Sequence, residues 1–332
     1  MNQLLQAARE KGLALKHDSE SSPADIVVQV WLQDRGLLEE QHAEALLSRP
    51  RSFIYFSGKT KSHKFIMPTE ETLRTLEKSM DDWFADHRRG RGSKVFLFDQ
   101  GGKVSMLIRH GLPTKREGSI KEGGESSSVH YRPEKHDVVV YDRKLNELAI
   151  NADTKGEREM YVAKIGWHLF GDELFFPGEE KYTLDPLRTD GKASVACGDV
   201  EGLEWIRLRS LSIHRGGKYI AMQVLKATDV FADMDEQNFV IHPSTRLVMA
   251  IFEVKFTNAK RPRSVTIRPA NHAQYTRDED APLVEEWLGR RGFLIGIEKD
   301  EANEDIASTM ERSGTAARPV FGVGRMAAAP WG

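Results

Sequence analysis

The chain has 332 residues, 39% of them apolar and 30% charged, a globular composition that excludes global disorder and is long enough for two compact units. Its 48 basic and 50 acidic side chains leave a formal charge of -2, so no whole-molecule field draws it to nucleic acid and any such role needs a local patch. Cys197 is the single cysteine, which excludes an internal disulfide and a four-thiolate metal site and points to a reducing, cytoplasmic setting.

Residues 1–50 read as a helical segment. Leu4, Leu5, Ala8 and Leu13 share one face, and Ser22 and Pro23 open a second helix that carries Ile26, Val27, Val30 and Trp31 and ends at Gly36. A third helix over 39–47 presents Glu39, Glu40 and Glu44, a poor face for phosphate, so the segment reads as a small packing or dimerisation bundle. Charges at Arg9, Glu10 and Lys11 break the apolar start, and no run reaches the roughly 18 to 20 apolar residues that span a bilayer. No membrane partner is expected.

Residues 51–176 read as a basic, mixed α/β region with hairpins. A strand over 53–56 is followed by a helix starting at Thr69, with Leu73, Leu76, Met80, Trp83 and Phe84 on one stripe and Gly90 at its end. Residues 95–98 and 104–109 form one hairpin, residues 137–150 a second, and 155–170 a helix. The stretch 111–128 between the hairpins is rich in Gly, Ser, Lys and Glu and reads as a mobile loop. Ser57, Gly58, Lys59 and Thr60 resemble the end of a phosphate-binding loop, but the preceding strand leaves no room for the rest of one.

Residues 177–200, with Pro186, read as an irregular connector. Residues 201–298 read as an antiparallel sheet closed by a helix: apolar-alternating runs at 205–214, 218–226, 239–242, 247–257 and 264–268 form a meander with almost no helical periodicity between them. The closing helix is capped by Asp278 or Asp280 and carries Leu283, Val284, Trp287 and Leu288. Residues 299–332 are an acidic, then low-complexity tail. The predicted fold class is therefore α+β: a helical N-terminal segment, a mixed α/β middle region with hairpins, and a C-terminal antiparallel β-meander closed by a helix.

Three sets of residues are candidates for chemistry. Glu253 and Lys255 sit two apart on a strand, so both face one way; in metal-dependent nucleases a Glu-x-Lys pair of this kind holds a divalent ion and polarises water or phosphate, with Asp229, Asp233 or Asp235 supplying a further acid. A second such triplet begins at Glu179, which is what chance predicts, and the bland reading is a solvated sheet face. His110, His130 and His136 are the alternative catalytic set, acting without metal as acid and base or holding one. Basic residues outnumber acidic ones by 18 to 13 between Lys59 and Lys144. They form knots at Lys59, Lys61 and Lys64; at Arg88, Arg89, Arg91 and Lys94; at Lys115, Arg116 and Lys121; and at Arg132 and Lys135, a pattern suited to phosphate.

The expectation is a nucleic-acid-associated protein of the cytoplasm, acting with protein partners as a component of a multiprotein machine. Two alternatives stand beside it: an interaction or scaffold module without catalysis, and a phosphodiesterase or nuclease using a divalent metal. No other cofactor is indicated.

Overall fold

The computed structural model describes residues 2–16, 21–60, 64–216, 218–219, 221–276 and 280–295. Lys61, Asp278 and the tail at 299–332 lie outside the described residues. The fold is α+β.

Three short helices come first: α1 (Asn2–Glu10), α2 (Pro23–Gln33) and α3 (Arg35–Leu47). Ser22 and Asp25 form a capping box at the start of α2, and Asp34 both ends α2 and caps α3 by accepting from the Leu37 N–H. That single-residue junction starts the third helix earlier than its apolar pattern suggests, with Gly36 inside it. Lys11 reaches across to Asp34 at 3.4 Å and Glu40 at 3.1 Å.

The first strand and helix are β1 (Ser52–Ser57) and α4 (Glu70–Asp86). Strands β2 (Lys94–Gln100), β3 (Lys103–Gly111), β4 (Lys115–Ile120), β5 (Ser126–Tyr131), β6 (Glu134–Asp142) and β7 (Glu147–Asn151) follow, then α5 (Lys155–Phe170). After a short helix α6 (Pro186–Thr189) and a 3-10 turn come β8 (Leu203–His214), β9 (Met222–Lys226), α7 (Val230–Glu236), β10 (Arg246–Phe256), β11 (Arg263–Arg268), β12 (His272–Gln274) and α8 (Ala281–Arg290).

Ten strands form one antiparallel sheet in the order β2-β3-β6-β7-β1-β12-β11-β10-β8-β9. β1 is the seam: Ile54 sits opposite Ile150 on one side and His272 on the other. One face of the sheet is buried along its length. There Phe53, Tyr55, Phe96, Leu107 and Val138 of the first half share a core with Leu208, Phe252, Val265 and Ile267 of the second, beneath Ala43 of α3 and Trp287 and Leu288 of α8. The other face is covered only over the first half, where Leu76, Met80 and Phe84 of α4 and Met160, Tyr161 and Ile165 of α5 pack on Phe56, Met106, Ile108 and Val139. No described strand of the second half joins that core, so Trp205, Arg207, Glu253, Lys255, Ser264, Arg268 and Gln274 remain exposed or half-buried.

Three local features depart from the sequence reading. The stretch 111–128 is mostly strand, part of a two-stranded hairpin of β4 and β5. Residues 239–242 form no strand; the chain instead makes α7, whose N-terminus Asp229 caps by accepting from Phe231 and Ala232. A bulge between Leu247 and Met249 shifts the phase of β10, so Leu247, Ala250 and Phe252 are buried and Val248 is not.

Candidate nucleic-acid interface

Strands β3 and β6 pair as far as Gly111 and Glu134, and the ladder then continues beyond the body of the sheet. The Leu112 N–H donates to the Pro133 carbonyl at 2.8 Å, after which β4 and β5 pair from Lys115 with Tyr131 to Ile120 with Ser126. The result is a projecting two-stranded ribbon. Ile120 is 80% exposed and Val129 51%, so the ribbon has no core of its own and is held by its hydrogen-bond ladder. Alternation cannot reveal such a ribbon, since neither face is buried.

Lys115 and Arg116 are exposed on the ribbon and have no ion pair with any described residue, and Arg116 lies opposite His130. Tyr131 donates its hydroxyl to Glu117 at 2.7 Å, while Lys121 pairs with Glu125 at the tip. At the root, the Arg132 guanidinium donates to the Arg88 carbonyl at 2.8 Å and so ties the ribbon to the turn that follows α4. Two glycines make room for it. A Cβ on Gly111 would lie 2.5 Å from the Arg89 carbonyl oxygen and also strike the Arg132 side chain; one on Gly90, whose φ is +77°, would lie 2.8 Å from Arg132 Cζ.

The basic knots around residues 88–94 and 132–135 thus meet in space, but four of their six cations are already engaged. Arg89 and Lys135 turn inward onto Glu157, Arg91 pairs with Asp82 at 2.5 Å, and Lys94 pairs with Glu39 at 2.9 Å. Arg88, Lys115, Arg116 and Arg132 are left to face solvent. Lys59 is bound to Asp172 at 2.6 Å, and Gly58 lies against Asn146, so that segment makes no phosphate loop.

Behind the root lies a buried polar network. Glu157 caps α5 through a box with Thr154, whose N–H and hydroxyl donate to one carboxylate oxygen at 2.7 and 2.8 Å; the other oxygen accepts from Arg89 and, at 2.9 Å, from Lys135. Burial opposes its ionisation, yet the Lys135 and Thr154 hydrogen bonds hold its pKa down at about 2. Lys135 also lies 3.0 Å from both Asp137 and Asp153. His110 stacks on Phe84, with Nδ1 3.0 Å from the Gly111 carbonyl and Nε2 3.0 Å from Asp137, which also accepts from the Tyr161 hydroxyl at 2.9 Å.

The ligand atoms of His110, Asp137 and Glu157 lie within 4.8 Å of one another, the spacing of a metal site. These residues do not fit one. Lys135 and Arg89 already supply positive charge to the same carboxylates, and both nitrogens of His110 face oxygens, so a cation would meet two others and no free imidazole lone pair. The network pins α5 and the end of α4 to β3 and β6.

The three histidines do not converge. On a strand, neighbouring side chains alternate, so Lys135 and Asp137 face α5 while His136 faces α3, where it lies 3.2 Å from Glu134 and edge-on to His42. His130 is out on the ribbon. Glu253 and Lys255 share the uncovered face, as their spacing predicts, but Lys255 is bound to Glu204 at 2.7 Å and Glu253 lies 3.8 Å from Arg209. Asp229 is occupied in capping α7, and among the described residues no acidic group with metal-ligand spacing includes Glu253.

One pair escaped the sequence reading because its members are 220 residues apart: the Ser52 hydroxyl lies 2.6 Å from His272 Nε2. It resembles a nucleophile and its base, but Arg268 lies 3.0 Å from Nδ1 and can only donate there. The ring proton must then sit on Nε2 and point at Ser52, so the ring cannot take the Ser52 proton. No family model matches the chain, and no curated protein matches it.

Proposed function

We propose that this protein binds nucleic acid in the cytoplasm, seating the phosphate backbone at the ribbon root. The observation that carries the reading is the Arg132 contact with the Arg88 carbonyl, which gathers cations 44 residues apart in sequence beside the unpaired Lys115 and Arg116. A two-stranded ribbon also matches the width of a duplex major groove. Backbone contacts release counterions, so affinity falls steeply with salt.

The test is fluorescence anisotropy with duplex and single-stranded DNA and RNA over a salt series. Replacing Lys115 and Arg116 by Glu is expected to weaken binding at least tenfold at low salt and to flatten the salt slope. Equal binding by the wild type and this variant, or no salt dependence, would sink the proposal. A second reading, the interaction module, draws on β9: it is an outer strand of the sheet, and its Met222 and Val224 are 53% and 58% exposed. Such an edge suits addition of a partner's strand in a larger assembly. The nuclease alternative is not proposed, since neither of its residue sets is assembled.

A further inference from the structure

We infer that the uncovered half of the sheet carries a second binding site, for a phosphate-type oxyanion, in the cleft where β11, β12 and the residue leading into β1 meet. This inference goes beyond the ribbon reading and does not rest on it. The cleft has a volume of about 500 Å³, within the range of small-molecule sites. Its lining includes Arg51, Arg263, Ser264, Thr266, Gln274 and Thr276, and no described carboxylate lines it.

The strand register explains why these donors converge. Thr266 lies opposite Gln274, and Ser264 is two residues before Thr266 on the same face. Arg263 is fixed at the rim by its ion pair with Asp280. The side chains of Arg51, Ser264, Thr266, Gln274 and Thr276 make no hydrogen bond or ion pair with any described residue. For exposed groups that is ordinary. Thr266 is the most enclosed of the five, only 9% exposed and opposite Gln274 on the ladder, so it is held in place between its neighbours. Valine would pack there as well.

A guanidinium, three hydroxyls and an amide with no described carboxylate in the lining form a surface that favours an oxyanion, since the nearby described acids are engaged elsewhere: Asp280 pairs with Arg263, and Glu253, opposite Ser264 on the ladder, lies 3.8 Å from Arg209. The same face stays positive towards α5. Burial, then Arg268 and Arg158, hold His272 down at about 4, so that ring adds no charge of its own at neutral pH but reports the field around it.

The test is isothermal titration calorimetry of the full chain against inorganic phosphate, a nucleoside monophosphate, and one oligonucleotide with either a 5′-phosphate or a 5′-hydroxyl. Saturable binding of at least one phosphate monoester or of inorganic phosphate is expected, weakened at least tenfold by Arg51→Ala and also by the near-isosteric Thr266→Val. Replacing Lys115 and Arg116 by Glu should leave it unchanged, which keeps failure of this site distinct from failure of the ribbon. Equal affinity for all the phosphates would assign the site to the free ion, a preference for the monophosphate to a nucleotide, and a preference for the 5′-phosphorylated strand to a nucleic-acid end. No saturable binding, or binding unmoved by both cleft variants in protein that melts normally, would overturn the inference.

Discussion

Gly111 is where the ribbon leaves the sheet, and nothing larger than hydrogen fits there. Gly111→Ala forces the Arg89 carbonyl or Arg132 to move, and a loss of about 1–3 kcal/mol is expected in urea denaturation, typical of overpacking. Glu157 makes a separate, pH-dependent contribution. Its pKa is lowered in the folded state, so the stabilisation is complete above its ordinary value of 4.5 and is lost as pH falls towards about 2, amounting to roughly 3 kcal/mol. Glu157→Gln should therefore cost stability at pH 7 and flatten the pH dependence between about 4.5 and 2, read by denaturation at a series of pH values; an unchanged profile would mean the network is not ionised as described. His272, by contrast, should titrate near pH 4 with its neutral proton on Nε2, which ring-nitrogen NMR measures directly. A proton on Nδ1 would restore a catalytic reading of Ser52.

Among the elements, those with one buried face were legible in the sequence. The stripe from Leu73 to Phe84 became α4 and the spacing of Leu283, Val284, Trp287 and Leu288 became α8, while β3, buried on both faces, showed as the mostly apolar run at 104–108. The ribbon was not legible, because a hairpin wet on both faces carries no alternation; nor was α7, whose seven residues are too short for a helical period to stand out. The same logic makes the ribbon dispensable to stability. Replacing residues 113–131 with a tight Asn-Gly turn should leave the melting temperature within about 2 °C, since no core is touched, while abolishing salt-dependent nucleic-acid binding. Retained binding would shift attention to the uncovered sheet face.

Over the whole molecule, the candidate site shows what composition can and cannot say. The basic excess was visible in the sequence, but its meaning depended on partners far away: Glu157 takes Arg89 and Lys135, and Glu39 takes Lys94, pairings that only the fold creates. Neither the seam at β1 nor the shared core was visible, because β1 and β12 carry no mark of each other in their sequences. The shared core of Phe53, Leu107, Phe252 and Ile267 implies that the two halves of the sheet stabilise each other. Urea unfolding is expected to be a single transition, with tryptophan fluorescence and far-ultraviolet circular dichroism coinciding; two resolved steps would show that the halves are independent.

That seam also sets a timetable for synthesis. Ser52 meets His272 only after 220 further residues have been made, which at about 5 to 20 residues per second takes on the order of 10 to 40 s. Until then the open edge of β1, with Phe53 and Tyr55 on its core-facing side, emerges from the ribosome without the strand that will cover it. A newly made chain truncated before 272 should therefore be captured by general chaperones, and release should coincide with the arrival of β12.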